Sequence, residues 1–268
     1  MISKTKSNDN SCPRVIVSLT SFPAAIPYAM GAVRSLLAGK VLPDRIVLYV
    51  TLSQFGFEGL PDELLALERE NEIFEIRDYD RDIRSYRKLI PALKDFPDDI
   101  IVTVDDDVAY HPDMLGRLLK THEKWPGHVI AHRAKKISSG KPYKKWKKYR
   151  WYHFLANKFQ PAYSNMQTGV GGVLYPPHSL KENMLDEKLF SKIAPTADDL
   201  WFWAAAVANG TKILPVPYGI NKPKGLGKPK NLSLKTVNFK SGVDRNAEAL
   251  AAILQKYTIV RERLNESV

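Results

Sequence analysis

Short apolar runs alternate with stretches of helical spacing through the first half of the chain. Residues 14–19 predict a first strand that closes on Thr20, Ser21, Phe22 and Pro23. Tyr28, Val33, Leu36 and Leu37 then recur at the period of a helix, which stops at Gly39. Residues 45–50 predict a second strand ending at Thr51. Pro61 opens the next helix with Asp62 and Glu63 behind it, because proline and acids suit a first helical turn. Residues 73–77 alternate as a short third strand, and a helix over 86–93 is expected to be shortened or bent by Pro91. The run 100–104 reads as a fully buried strand. It ends in three consecutive carboxylates, Asp105, Asp106 and Asp107, ahead of a helix over 112–124. Strand and helix alternating in this way predict an α/β fold with a mainly parallel central sheet flanked by helices.

Past Val129 and Ile130 the pattern changes. Residues 133–152 are dense in lysine, with Tyr143, Trp146, Tyr149, Trp151 and Tyr152 interleaved. Residues 169–175 form a glycine-rich entry to a strand, where glycine lets backbone approach a ligand closely or simply makes a bulge. Asp198 and Asp199 start a helix that runs to Asn209 and Gly210, serving as caps or first-turn acids. Trp201 and Trp203 cannot share a face of that helix, so at least one belongs to the core. A Gly/Pro/Lys stretch at 222–230 predicts a mobile loop, and a last helix is expected over 246–264. Residues 1–13 read as a disordered leader.

Composition narrows the chemistry. The 268 residues are 44% hydrophobic and 26% charged, which is ordinary for a globular chain. A formal net charge of +11 is not ordinary and asks for an anionic partner: nucleotide phosphates, lipid headgroups or nucleic acid. A single cysteine, Cys12, excludes an intrachain disulfide framework and fits a reducing compartment. The first ten residues lack an apolar core, and no run approaches the roughly 18 apolar residues that span a bilayer. A cytoplasmic protein is expected, peripheral on the inner face of the cell membrane if the segment 133–152 meets anionic lipid. Neither GxGxxG after the first strand nor GxxxxGK[ST] is present, which argues against dehydrogenase and P-loop chemistry. Six histidines are scattered without a metal-binding pair on a helix, so structural zinc is not expected.

Three adjacent carboxylates at a strand end repel one another and require a cation. Mg²⁺ or Mn²⁺ bridging to phosphates meets that need, with helix capping as the plainer alternative. Open α/β sheets bind ligands beyond the carboxyl ends of their strands, where these acids lie. Arg84 or Lys88, between the third strand and the carboxylates, is suited to a diphosphate, unless it belongs to a solvated basic face.

The order Ser18-Leu19-Thr20-Ser21-Phe22, Asp105-Asp106-Asp107, Gly171-Gly172 and Asp198-Asp199 resembles that of GT-A fold glycosyltransferases. It is similar to the small bacterial enzymes that build lipopolysaccharide and capsule, over roughly residues 14–215. The resemblance implies one GT-A domain over 14–268, with a nucleotide-sugar half at 14–132 and an acceptor half at 133–268. It implies Asp107 as ligand to Mn²⁺ or Mg²⁺, with Asp105 or Asp106 at the ribose or reaching the metal, directly or through water. Thr20, Ser21, Thr51, Asp78 and Asp80 would hold the nucleoside, and Arg84 or Lys88 the diphosphate. Gly171 and Gly172 would border the donor sugar and acceptor. Asp199, beside Asp198, would be the general base of an inverting transfer, although Asp-Asp stands where Glu-Asp is commoner. The late histidine that many such enzymes add to the metal shell is missing here, since none follows His178. The expected reaction moves a hexose or N-acetylhexosamine from a UDP-sugar to a hydroxyl of a growing surface glycan. The acceptor would be a glycan or lipid-linked, with no nucleic acid partner expected. The alternatives are a nucleotidyltransferase and a non-catalytic protein binding anionic surfaces or nucleic acid through residues 133–152.

Overall fold

A computed structural model describes residues 12–138, 140–149, 160–217, 219–220, 223–232 and 244–266. Most of the expected leader, the end of the basic-aromatic segment (150–152) and Lys222 lie outside the described residues. The first half follows the predicted alternation: β1 Val15–Thr20, α1 Ile26–Leu37, β2 Arg45–Val50, α2 Asp62–Arg69, β3 Phe74–Asp78, α3 Ile90–Asp95 and β4 Ile100–Thr103. The short strand β5 Val108–Ala109, α4 Met114–Lys124 and β6 Val129–Ala131 follow. The second half contributes β7 Ala134–Lys136, β8 Lys147–Lys148, β9 Asn165–Gln167, β10 Val173–Tyr175, α5 Glu187–Ile193, α6 Asp198–Asn209, β11 Ile213–Pro215 and β12 Lys224–Gly225. Helices Arg245–Lys256 and Thr258–Asn265 close the described chain.

Among the described residues the main sheet has seven strands in the order β11-β6-β10-β4-β1-β2-β3. All neighbours pair in parallel except β10, which is antiparallel to both β4 and β6. This reversal positions the site. Val173 stands opposite Thr103, so the start of β10 lies beside the end of β4, at the edge where the parallel strands finish. The glycine-rich entry at 169–172 thereby meets the carboxylates that follow β4.

Three predicted elements are reshaped. The helix expected over 86–93 is a 3₁₀ turn, Arg84–Lys88, followed by α3. Pro91 sits in the first turn of α3, where its missing N–H costs nothing, so it starts a helix instead of bending one. The last helix breaks at Tyr257 into two pieces. The loop at 222–230 carries β12, which pairs antiparallel with β5 across Lys224 and Ala109, while Leu226 N–H donates to the Asp107 carbonyl at 2.8 Å.

The sheet separates two apolar layers. One packs α1, α2 and α4 against it; the other gathers α3, α5, α6 and the last two helices. Trp201 and Trp203 are both fully buried in the second layer, their indole N–H groups donating to the carbonyls of Met184 and Tyr163. A buried tryptophan keeps its N–H satisfied in this way, so neither ring is free to floor a sugar site. No helix among the described residues is long and apolar enough to cross a membrane.

Candidate active site

A cleft of about 960 Å³ opens at the carboxyl edge of the sheet. Its floor comes from the ends of β1 and β4, one wall from β7 to β9, and its back from the start of α6. The residues between β3 and α3 bring in its cations. Ser18 Oγ donates to the Lys88 carbonyl at 2.6 Å and fixes the 3₁₀ turn against β1. Arg87 is buried; its guanidinium donates to Thr20 Oγ1 (2.7 Å), to the Ser21 carbonyl (2.6 Å) and to Thr51 Oγ1. It thus ties the ends of β1 and β2 together.

Lys88 is the hub. Its ammonium lies 3.0 Å from Asp105 Oδ1, 3.0 Å from Asp198 Oδ2 and 3.8 Å from Asp199 Oδ1, with its side chain only 6% exposed. Burial alone would lower its pKa, but the three carboxylates outweigh burial and hold it well above the usual lysine range. Asp199 Oδ2 also accepts from Gly169 N–H at 3.0 Å. Burial pushes the Asp199 carboxyl up to about 7; Asp198 and Asp105 add to the rise and Lys88 opposes it. A side chain at 169 would displace the hub: its Cβ would stand 2.7 Å from Lys88 Nζ, 3.0 Å from Asp199 Oδ1 and 3.2 Å from Asp105 Oδ1, so the Lys88 ammonium would have to shift. Asp198 and Asp199 are first-turn acids of α6, whose cap position is Ala197.

A second lysine meets the remaining carboxylates. Lys228, carried past β12, donates to Asp106 Oδ1 at 2.6 Å and lies 3.2 Å from Asp107 Oδ2. Ser21 Oγ donates to Asp106 Oδ2 at 2.8 Å. Burial raises the Asp106 pKa, offset in part by Lys228 and Ser21. Asp105 is steadied from behind, its N–H donating to Tyr110 Oη at 2.7 Å.

The decisive likeness lies in the sequence between these two lysine sites. Residues 86–190 match the family model of glycosyl transferase family 2. The matched stretch contains Lys88, Asp105 to Asp107 and Gly169, and stops before Asp198 and Asp199. No curated protein matches the chain. Among solved structures, the fold is similar to a mannosyltransferase from Pyrobaculum calidifontis in complex with GDP-Man and Mn²⁺. That likeness has a TM-score of 0.54 and 13% identity, over 96% of this chain and 75% of the other. TarS 1-349 of S. aureus is similar over 76% of this chain and 58% of its own, with 14% identity and a TM-score of 0.49. The enzyme class is glycosyltransferase, on a GT-A-like fold.

Within this glycosyltransferase cleft, Thr20, Ser21, Arg84, Lys88, Asp105, Asp106, Asp107, Asp198 and Asp199 all line the space. Thr51 does not; it is buried behind Arg87 and donates to the Tyr79 carbonyl at 2.9 Å. Asp78 accepts from Leu52 N–H at the end of β2, and Asp80 is exposed beside Arg81, so neither faces the cleft. Gly171 and Gly172 do not line the cleft either. A Cβ at 171 would meet His132 and Arg133, and one at 172 would meet Met114. Arg84 adopts φ 53°, an uncommon left-handed conformation at the rim of the site.

Sequence reasoning missed Arg87, Lys228 and the particular role of Gly169. Arg87 had a signal, because it sits in the basic run Arg84, Arg87, Lys88. Lys228 had none, being one of several lysines in a Gly/Pro loop. His132 is not a ligand candidate. Its Nε2 lies 2.9 Å from the Met114 carbonyl, its Nδ1 accepts from Ile220 N–H, and burial lowers its pKa to about 4.

Proposed function

We propose that the protein transfers a sugar from a nucleoside diphosphate donor to an acceptor hydroxyl, with Asp199 as general base. One observation carries this reading. Lys88 joins a donor-side carboxylate, Asp105, to the acceptor-side pair Asp198 and Asp199 within a single cleft. Asp199 has the properties a base needs: a carboxylate oriented by Gly169 N–H, with its pKa raised to about 7 chiefly by burial. A base whose pKa lies near the working pH combines availability with driving force.

In this reading the acceptor oxygen attacks the anomeric carbon and its proton passes to Asp199. The bond from that carbon to the diphosphate oxygen breaks, and the electron pair leaves with the nucleoside diphosphate. A single in-line displacement of this kind inverts the anomeric configuration. Thr20 and Ser21 at the end of β1 favour contact with the nucleoside, and Arg84 and Lys88 with the diphosphate. Thr51, Asp78 and Asp80, which lie off the cleft, are assigned no direct contact.

A divalent ion fits beside Asp106 and Asp107, because both carboxylates already converge on a cation, the Lys228 ammonium. Among the described residues no group of three or more His, Cys, Asp or Glu side chains is disposed to hold a metal. Two hard oxygen ligands nevertheless suit Mg²⁺ or Mn²⁺, which commonly takes one or two carboxylates and fills its shell with phosphate oxygens and water. When bound, such an ion would neutralise charge on the departing diphosphate. Asp107, with Asp106 next to it, is the preferred pair. Asp105, engaged by Lys88, is assigned to the ribose.

The donor is taken to be a UDP-sugar and the acceptor a growing surface glycan. A panel of UDP- and GDP-sugars, incubated with Mn²⁺ or with EDTA and assayed for nucleoside diphosphate release, tests the reading. Release of UDP from one donor, lost with EDTA, is expected. Release of sugar 1-phosphate in place of a nucleoside diphosphate, or of pyrophosphate when UTP and a sugar 1-phosphate are supplied instead, would point to nucleotidyl transfer and end this proposal.

A further inference from the structure

The wall of the cleft formed by β7 and β8 has a charge arrangement that the donor chemistry leaves unused. Lys135 pairs directly opposite Lys148 across the two antiparallel strands, and Lys136 opposite Lys147. Like charges placed directly opposite one another destabilise a strand pair. Lys136 and Lys147 are exposed and shed that cost into water. Lys135 and Lys148 line the cleft; Lys148 is exposed at its rim and Lys135 is buried. Arg133, in the bend just before β7, lines the cleft as well.

No carboxylate among the described residues ion-pairs with any of these three cations. Asp244, whose charge acts weakly on Lys135, is engaged elsewhere: its Oδ2 accepts from Tyr143 N–H and its Oδ1 from Ala247 N–H. Lys135 makes do with the Tyr143 carbonyl at 3.2 Å and the face of the Tyr143 ring. Burial, followed by repulsion from Lys148 and Arg133, lowers its pKa to about 8. The wall is close to the chemistry. The Arg133 carbonyl accepts from Thr168 N–H at 2.9 Å, and the next residue, Gly169, holds Asp199.

We propose that the acceptor carries a phosphate group, and that Arg133, Lys135 and Lys148 receive it while Asp199 takes the proton from a nearby hydroxyl. Three cations on one wall match the several oxygens and the charge of a phosphate better than the single charge of a sugar carboxylate. Part of the stabilisation comes from relieving the repulsion between Lys135 and Lys148. The proposal rests on the acceptor reading above, but phosphate binding is measured without turnover, so the two fail separately.

The test uses the full chain with UDP and Mn²⁺ present, and titration calorimetry with paired probes: glycerol 3-phosphate against glycerol, and farnesyl diphosphate against farnesol. At least one phosphate probe is expected to bind more tightly than its neutral partner by about tenfold, the worth of one charge-assisted contact. Preference for the first pair points to a water-soluble phosphate and for the second to a lipid-borne one; either supports the proposal. Lys148→Glu, at an exposed position, is expected to abolish the preference while raising Tm, because it replaces a repulsive cross-strand pair by an attractive one. A merely structural lysine would not give opposite signs in binding and stability. The proposal is overturned if neither phosphate outbinds its neutral partner or if glucuronate binds as well as glycerol 3-phosphate. It is also overturned if Lys148→Glu weakens UDP binding as much as phosphate binding, since the cations would then serve the donor.

Discussion

The two sides of the cleft treat charge in opposite ways. At the catalytic centre five acids each have a lysine: Asp105 and the acceptor-side pair Asp198 and Asp199 share Lys88, and Asp106 and Asp107 share Lys228. On the β7–β8 wall lysine faces lysine, with no acid between them among the described residues. Buried carboxylates without a counterion are too costly to keep, so the protein supplies its own cations where acids must be held ready. On the wall water screens the exposed Lys148, whereas the buried Lys135 keeps only the Tyr143 carbonyl and ring as partners. The contrast separates groups stabilised within the fold from groups left for a ligand to neutralise.

The largest effect is expected at Lys88. Lys88→Met leaves three acids without their shared cation, and breaking a buried ion pair from one side costs about 3–5 kcal/mol. Denaturant unfolding should show a loss of that order. A loss below about 1 kcal/mol would mean that the acids are solvated and the hub is not structural.

Lys228 tests whether the second cation is a placeholder. Lys228→Met removes the ammonium that occupies the space between Asp106 and Asp107, so Mn²⁺ should bind more tightly, by about tenfold if one charge-assisted contact is being displaced. Paramagnetic resonance of free Mn²⁺ reads this directly. Weaker Mn²⁺ binding in the variant would show that lysine and ion cooperate and do not compete. The smallest effect belongs to the wall. Lys148→Glu should stabilise the protein by about 0.2–1 kcal/mol, the usual worth of a cross-strand pair.

How much of this was legible in the sequence depends on how locally each feature is encoded. Strands β1, β2 and β4 announce themselves as apolar runs, and the acids after β4 sit at the end of one, so their position at the sheet edge follows from the pattern. α6 was legible to within a residue or so, because Asp198-Asp199 marks its start, as caps or first-turn acids, and Gly210, at φ 88°, its end. β10 was visible as a strand, but nothing in three residues reveals that it runs against its neighbours. That reversal selects Gly169 over the more conspicuous pair Gly171-Gly172, since only the first residue of the turn reaches Asp199 and Lys88. Thr51 and Asp78 lie at strand ends as expected, yet their side chains bond backbone there and do not enter the cleft. Lys228 meets Asp106 across 122 residues of chain, a contact that only the β5–β12 pairing creates.

The central claim is that Asp199 takes the acceptor proton. A base works only when deprotonated, so with a pKa near 7 the rate should fall as pH drops through 7 and level off above it. The most direct measurement is kcat/KM from pH 5 to 9 for the wild type and for Asp199→Asn, with the best donor from the screen. An apparent pKa of about 7 in the wild type is predicted, with a loss of about 10²–10⁴-fold in the variant and no rise with pH. A variant that keeps both the rate and the wild-type pH profile would contradict the account.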